Sequence, residues 1–283
     1  MSHTVARVHV RGAELAYEVL GHGEPLVLVH GGMTGGHSWR AVREALARSF
    51  RVLVYDRRGH SASTHGHSLA SCARREHEDD LAALIKTLGL GPAHVAGVCY
   101  GGSTVLGLAA RHPALFRSVI AHESPLLGIV DDGPALALVR AAQAGIDTAA
   151  ARIRAGSNEE GARGFLEDVV LGPGVWGRLS GPVRDRILAN TPVWAAEQAD
   201  PHWAGIDLDA LSAFPGPALL TYGADTVRWL PPITIKLAEV MKHADLRRLT
   251  GMGHSPHVQD PDAYVNLLTT FIADARDTTG ALA

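Results

Sequence analysis

Over the first 120 residues, short apolar runs alternate with longer segments whose apolar positions recur every three or four residues. That rhythm predicts an α/β fold, a mostly parallel sheet with helices on both faces. Val5 to Val10 and Leu15 to Leu20 read as a strand pair turning at Arg11-Gly12. Leu26-Val27-Leu28-Val29 is continuously apolar, as a strand buried on both faces should be, and it runs into His30-Gly31-Gly32. Trp39 to Phe50 predicts a helix, with Val42, Leu46 and Phe50 on one face, before a second buried strand, Val52 to Tyr55, that ends at Asp56-Arg57-Arg58-Gly59. Cys72 to Leu88 is a further helix, stopped by Gly89. The next units are a strand at Ala93 to Val98, a sharp turn at Cys99-Tyr100, a helix from Gly101 to Arg111 and a strand at Phe116 to His122.

After that strand the rhythm breaks. Residues 126–213 read as several helices separated by Gly and Pro clusters such as Gly172-Pro173-Gly174 and Gly181-Pro182, without a strand. The expectation is an inserted helical cap, with the core formed by 1–125 and 214–283. The core pattern resumes at Ala218 to Tyr222, a helix near Ile233 to Met241, a strand at Leu246 to Thr250 and a helix from Pro261 to about Ala275.

Composition narrows the class. Hydrophobic residues make up 46% and charged residues 19%, too apolar for a disordered chain and sufficient for a large core. The net charge of −3 comes from interspersed signs, so no basic stripe suggests nucleic acid as a partner. Met1 to Val10 lacks the apolar run of a secretory signal, and no 18-residue apolar stretch suggests a membrane span. Two cysteines, Cys72 and Cys99, cannot build a disulfide scaffold, so a cytoplasmic protein is expected. The histidines at 60, 65 and 67 include an H-x-H pair, but a polar loop accounts for them and no metal or other cofactor is expected.

The chemistry concentrates at Gly97-Val98-Cys99-Tyr100-Gly101-Gly102, a G-x-C-x-G-G pattern between a predicted strand and a predicted helix. Such a turn exposes its central side chain above the sheet edge, and glycines leave room for the crowded backbone. A cysteine there, beside a helix N-terminus and a histidine, has the environment of an activated thiolate. His254, in Gly251-Met252-Gly253-His254, is the leading general base, with His257 as competitor. Asp225 follows the strand ending at Tyr222-Gly223 and is the leading candidate to orient the imidazole, with Glu123 as runner-up. The amides of Gly32 and Tyr100 are the expected oxyanion donors, with Met33 as fallback. Cap residues Trp176, Trp194, Trp203, Phe165 and His202 are candidates to line an apolar substrate pocket.

Taken in order, His30-Gly31-Gly32, Asp56-Arg57-Arg58-Gly59-His60-Ser61, Gly97 to Gly102, Tyr222-Gly223-Ala224-Asp225 and Gly253-His254 resemble the α/β-hydrolase superfamily nearly end to end. The resemblance implies an eight-stranded, mostly parallel sheet flanked by helices, with a helical cap after the sixth strand and a triad of nucleophile, acid and histidine in that chain order. It is closest to capped, esterase-like members, whose elbow usually holds serine. Here it holds cysteine, whether by nature or by a Ser-to-Cys change. The elbow itself is similar to those of dienelactone hydrolases and polyhydroxyalkanoate synthases. The expected substrate is a small acyl compound, an ester, thioester or lactone, attacked through a Cys99-His254-Asp225 triad. A thioester intermediate also suits acyl transfer or cyclisation of a biosynthetic intermediate, and a silent ligand-binding or redox-sensing homologue is the third reading. Oligomeric state is left open.

Overall fold

A computed structural model describes residues 5–66, 68, 69 and 72–280. Eight strands form one sheet: β1 Ala6–Val10, β2 Ala13–Leu20, β3 Glu24–Val29, β4 Phe50–Tyr55, β5 Ala93–Val98, β6 Phe116–His122, β7 Ala218–Gly223 and β8 Ala244–Leu249. Their order is β1-β2-β4-β3-β5-β6-β7-β8. β1 pairs antiparallel with β2 and β2 antiparallel with β4, whereas every later pair is parallel.

Core helices are α1 Arg43–Leu46, α2 Arg74–Thr87, α3 Tyr100–Arg111, α10 Leu230–Val240, α11 Pro256–Gln259 and α12 Pro261–Gly280. Between β6 and β7 the chain runs through α4 Leu136–Arg154, α5 Asn158–Gly164, α6 Val175–Arg178, α7 Gly181–Ala189, α8 Thr191–Glu197 and α9 Leu208–Ser212. A π-helical stretch, Phe165–Val170, continues directly from α5. No helix among the described residues is long and apolar enough to cross a membrane.

The continuous apolar runs are explained by burial on both faces. Side chains alternate along a strand, so Val27, Val29, Leu53, Tyr55 and Val95 enter one core with α2 and α3. Leu26, Leu28, Val52, Val54, Ala96 and Val98 enter a second core with Trp39, Tyr264, Leu268 and Ile272. Each such fully buried aliphatic side chain contributes about 1.5–3 kcal/mol. The site described below therefore rests on a rigid sheet.

Two element boundaries depart from the sequence pattern. The predicted helix over Trp39 to Phe50 is a 3-10 turn at Gly36–Ala41 followed by the single turn of α1, and Phe50 opens β4 instead. Phe50 pairs in register with Glu24 of β3, and a residue committed to the sheet cannot close a helix. The helix predicted from Cys72 starts at Arg74, because Ala73 is extended and Cys72 is buried near Gly59.

Candidate active site

Cys99 lies between the carboxyl end of β5 and the first residue of α3, at the topological centre where α/β folds place ligands. Its backbone takes φ +54 and ψ −128, a strained conformation for a residue with a Cβ. The surroundings leave no slack: a Cβ on Gly97 would lie 2.5 Å from the Gly101 carbonyl carbon, and one on Gly101 would lie 2.3 Å from Val29 O. Both glycines are required by close backbone approach.

His254, on the loop after β8, faces Cys99 on one side, and the two line the same cavities. On the other, its Nδ1 donates to Glu123 Oε2 at 2.7 Å. Glu123 follows β6 with φ +47 and is fully buried; its Oε1 accepts from the Gly223 amide at 2.8 Å, and its Oε2 also accepts from Thr226 Oγ1 at 2.9 Å. The acid beside the imidazole is thus Glu123, which corrects the assignment of Asp225. Asp225 is exposed, its amide bonded to Met252 O at 2.9 Å, and its own carbonyl lies against Gly253. Backbone-to-backbone contact between the two loops holds the Asp225 segment in place and leaves its carboxylate in solvent.

Neighbouring His122 brings its Nε2 to 3.7 Å from Glu123 Oε2 but makes its hydrogen bonds elsewhere. Its Nε2 faces Gly253 O at 3.1 Å, so that nitrogen carries the proton, and its Nδ1 accepts from Thr221 Oγ1 at 2.9 Å. Burial pushes this imidazole down to about 4, and it stays neutral. His257 is likewise lowered to about 3 by burial and packs against the ring of Trp39, centroids 4.4 Å apart.

Electrostatics at the centre run the other way. Burial opposes ionisation of Cys99, but the His254 charge and hydrogen bond, with the amides of Tyr100 and Gly32, outweigh it and bring the thiol below its ordinary 9.0. Burial also opposes protonation of His254, yet Cys99 and Glu123 together raise it to about 10. Each group favours the charged form of the other, so the two titrate as a single unit. The amides of Gly32 and Tyr100 face the sulfur and favour its charged form. Met33, the fallback donor, is not among them; it is buried at φ +54, and its carbonyl meets Asn190 Nδ2 at 3.5 Å.

Residues 24–261 match the family described as alpha/beta hydrolase fold. The chain belongs to that family. The uncharacterized hydrolase YraK of Bacillus subtilis (strain 168) is 35% identical over 123 residues, covering 44% of this chain and 45% of that protein. The chain thus spans a little under half the length of that relative. Among solved structures, a thermophilic esterase from Thermogutta terrifontis superposes with a TM-score of 0.76 at 24% identity, covering 97% of this chain and 99% of that one. The enol-lactonase from Burkholderia xenovorans LB400 gives 0.76 at 23% identity over 95% and 100%.

Two cavities meet at Cys99 and His254 in this α/β-hydrolase. The inner one holds only about 20 Å³, room for a single water, beneath Phe165, Trp194, Trp203 and Trp229. The outer one, about 160 Å³, runs past Thr34 and Ser255 to the exposed side chains of Leu171 and Val258. Trp194 decides the shape of the inner cavity: a Cβ on Gly32 would lie 2.7 Å from its Cδ1, and its ring is 4.5 Å from that of Phe165. Trp176 does not line it; the ring is buried among the helices between β6 and β7, with Nε1 bonded to Glu159 at 3.1 Å. His202 is exposed. Larger cavities of about 430 Å³ lie elsewhere on the surface, away from Cys99.

Of the three loop histidines, His60 is buried, with Nε2 accepting from Arg57 at 3.2 Å and Nδ1 facing Arg58 O at 3.1 Å. His65 is exposed, and residue 67 lies outside the described residues. Sequence reasoning missed Trp229, which follows β7, lines the inner cavity and donates its Nε1 to Val169 O at 2.9 Å. It also missed Arg57 and Glu197. The charged run Asp56-Arg57-Arg58, directly after the buried strand β4, was the available signal for Arg57, whereas nothing local distinguishes Glu197.

Proposed function

We propose that the protein cleaves a carboxylic ester, thioester or lactone with Cys99 as nucleophile, through an acyl-thioester intermediate. The placement of Cys99 beside His254, whose Nδ1 donates to Glu123, is the observation that carries this reading. The thiolate attacks the carbonyl carbon, and the resulting oxyanion is received by the amides of Gly32 and Tyr100. Collapse expels the leaving alcohol, alkoxide or thiolate, which takes the proton of the His254 imidazolium. The now neutral imidazole removes a proton from water, hydroxide adds to the thioester carbonyl, and collapse releases the acid and restores the thiolate. Glu123 keeps Nδ1 protonated and Nε2 aimed at the sulfur throughout. The esterase and lactonase folds it resembles support an acyl substrate of this kind.

The test is intact-mass analysis after mixing with a panel of esters, thioesters and lactones. A covalent increment equal to the acyl group, on the peptide containing Cys99 and followed by release of free acid, is expected. Absence of both adduct and turnover across the panel would sink the hydrolase reading. Conversion of the adduct by an added amine or thiol in preference to water would establish acyl transfer instead.

The charge state predicts the pH profile of kcat/KM for an alkyl ester. Activity falls at low pH, as the thiolate is protonated below its depressed pKa, and falls again as pH rises through about 10, where the imidazolium is lost. The Cys99→Ser variant removes the two largest influences raising His254. An imidazole serving a neutral hydroxyl must be unprotonated, so its activity should climb through a pKa well below 10. A profile identical to that of the parent would contradict the ion-pair ground state.

The inner cavity predicts a short acyl group. Trp194→Leu should raise the rate on longer p-nitrophenyl esters by about tenfold for one or two added methylenes, the range expected of an apolar pocket. An unchanged chain-length profile would show that the acyl group lies elsewhere.

A further inference from the structure

The oxyanion donor Gly32 has no side chain to hold it, so something else must fix the direction of its N–H. A peptide unit is planar and trans, and the carbonyl of Gly31 and the amide of Gly32 belong to the same unit and point in opposite directions. Whatever grips Gly31 O therefore aims Gly32 N–H. Three groups reach that oxygen. Thr34 Oγ1 donates at 3.2 Å and Arg57 Nη2 at 3.2 Å. His30 is the third: its Nε2 accepts the Arg57 amide at 2.8 Å, so its proton sits on Nδ1, which donates to Gly31 O at 2.8 Å.

Arg57 is the centre of this grip. Its Nε also donates to His30 O at 3.1 Å, and its guanidinium stacks 4.9 Å from the ring centroid of Tyr100, whose amide is the second donor. The charge is fully buried, and its counter-ion is Glu197 of α8, 140 positions away in the chain, at 2.5 Å from Nη1. The rings of His60 and His77 approach the same carboxylate oxygen at 3.6 and 2.9 Å; both are held neutral by burial and by Arg57, so the only buried charges in the group are Arg57 and Glu197. A bare guanidinium there would turn toward other acceptors; with Glu197 it stays between the loop and the cap helices.

We infer that Glu197 is a positioning residue for the reaction: seating of α8 on the core holds Arg57, which holds the Gly31-Gly32 peptide with its N–H turned to the nucleophile. The cap helices that cover the substrate thereby set the competence of the oxyanion hole. This rests on the proposed Cys99 mechanism.

The discriminating experiment compares two reactions of the same sulfur. Acylation by p-nitrophenyl acetate passes through an oxyanion, whereas alkylation by iodoacetamide does not. In Glu197→Gln, which keeps an acceptor oxygen and the side-chain shape, the acylation rate constant should fall at least about tenfold, towards the 10²–10³ expected for a lost donor. KM and the alkylation rate should stay within about threefold. Thr34→Val, which removes one grip on Gly31 O without touching the buried charges, should act in the same direction, and it carries the test if the Glu197 variant fails to fold. Equal losses in acylation and alkylation, or no loss in either variant, would overturn the inference. Retained esterase turnover in Cys99→Ala would instead overturn the nucleophile assignment, whatever the Glu197 result.

Discussion

Replacing Cys99 with alanine is expected to lower kcat on any ester substrate by at least about 10⁴, the scale seen when a covalent nucleophile is removed from an intact site. The proposed oxyanion donors and the cavity do not depend on the thiol, so a small residual rate over water should persist. No acyl adduct should appear in the mass spectrum. The His254 imidazolium, raised to about 10 chiefly by the charge and hydrogen bond of Cys99, should then titrate markedly lower, which NMR of the imidazole can follow. The backbone strain at φ +54 is imposed by β5, α3 and the flanking glycines rather than by the thiol, so the fold should be retained. Turnover within tenfold of the parent would mean that another group attacks the substrate.

The second large effect separates the two carboxylates. Glu123→Gln should reduce kcat by about 10²–10⁴, whereas Asp225→Asn should change it less than about threefold. The amide of a glutamine can present its NH₂ to Nδ1 and hold the ring with its proton on Nε2. That tautomer cannot serve as base in deacylation. The neutral side chain also removes the charge that supports the imidazolium, so the alkaline limb of the pH profile should move below about 10. Because Glu123 also accepts from the Gly223 amide, thermal unfolding should be measured alongside, and the effect on kcat should persist well below the midpoint. If Asp225→Asn were the damaging substitution, the hydrogen bond between His254 and Glu123 would have no catalytic meaning.

Much of this architecture was legible in one dimension because it depends on local physics. Continuous apolar runs mark strands covered on both faces, and Leu26 to Val29 and Val52 to Tyr55 lie in the two cores as their alternation requires. The G-x-C-x-G-G turn announces a reactive side chain because only a crowded strand-to-helix hinge needs glycine at both flanks. His254 stands out by its glycine-rich loop. These signals are short-range, and each is written in adjacent residues.

Which residues meet across the sheet was decided only in three dimensions. Asp225 and Glu123 both follow a strand, at β7 and β6, and nothing in their neighbours separates them. The chain turns at φ +47 to fold Glu123 under His254, while the loop bearing Asp225 packs its backbone on Met252 and Gly253 and turns its carboxylate outward. The same holds for Arg57 and Glu197, which become an ion pair only when a helix 140 positions away is laid over the sheet edge. Backbone propensity and hydrophobic periodicity report what a residue's neighbours along the chain require. The identity of a buried charge's partner depends on how distant surfaces close, and no local pattern contains that information.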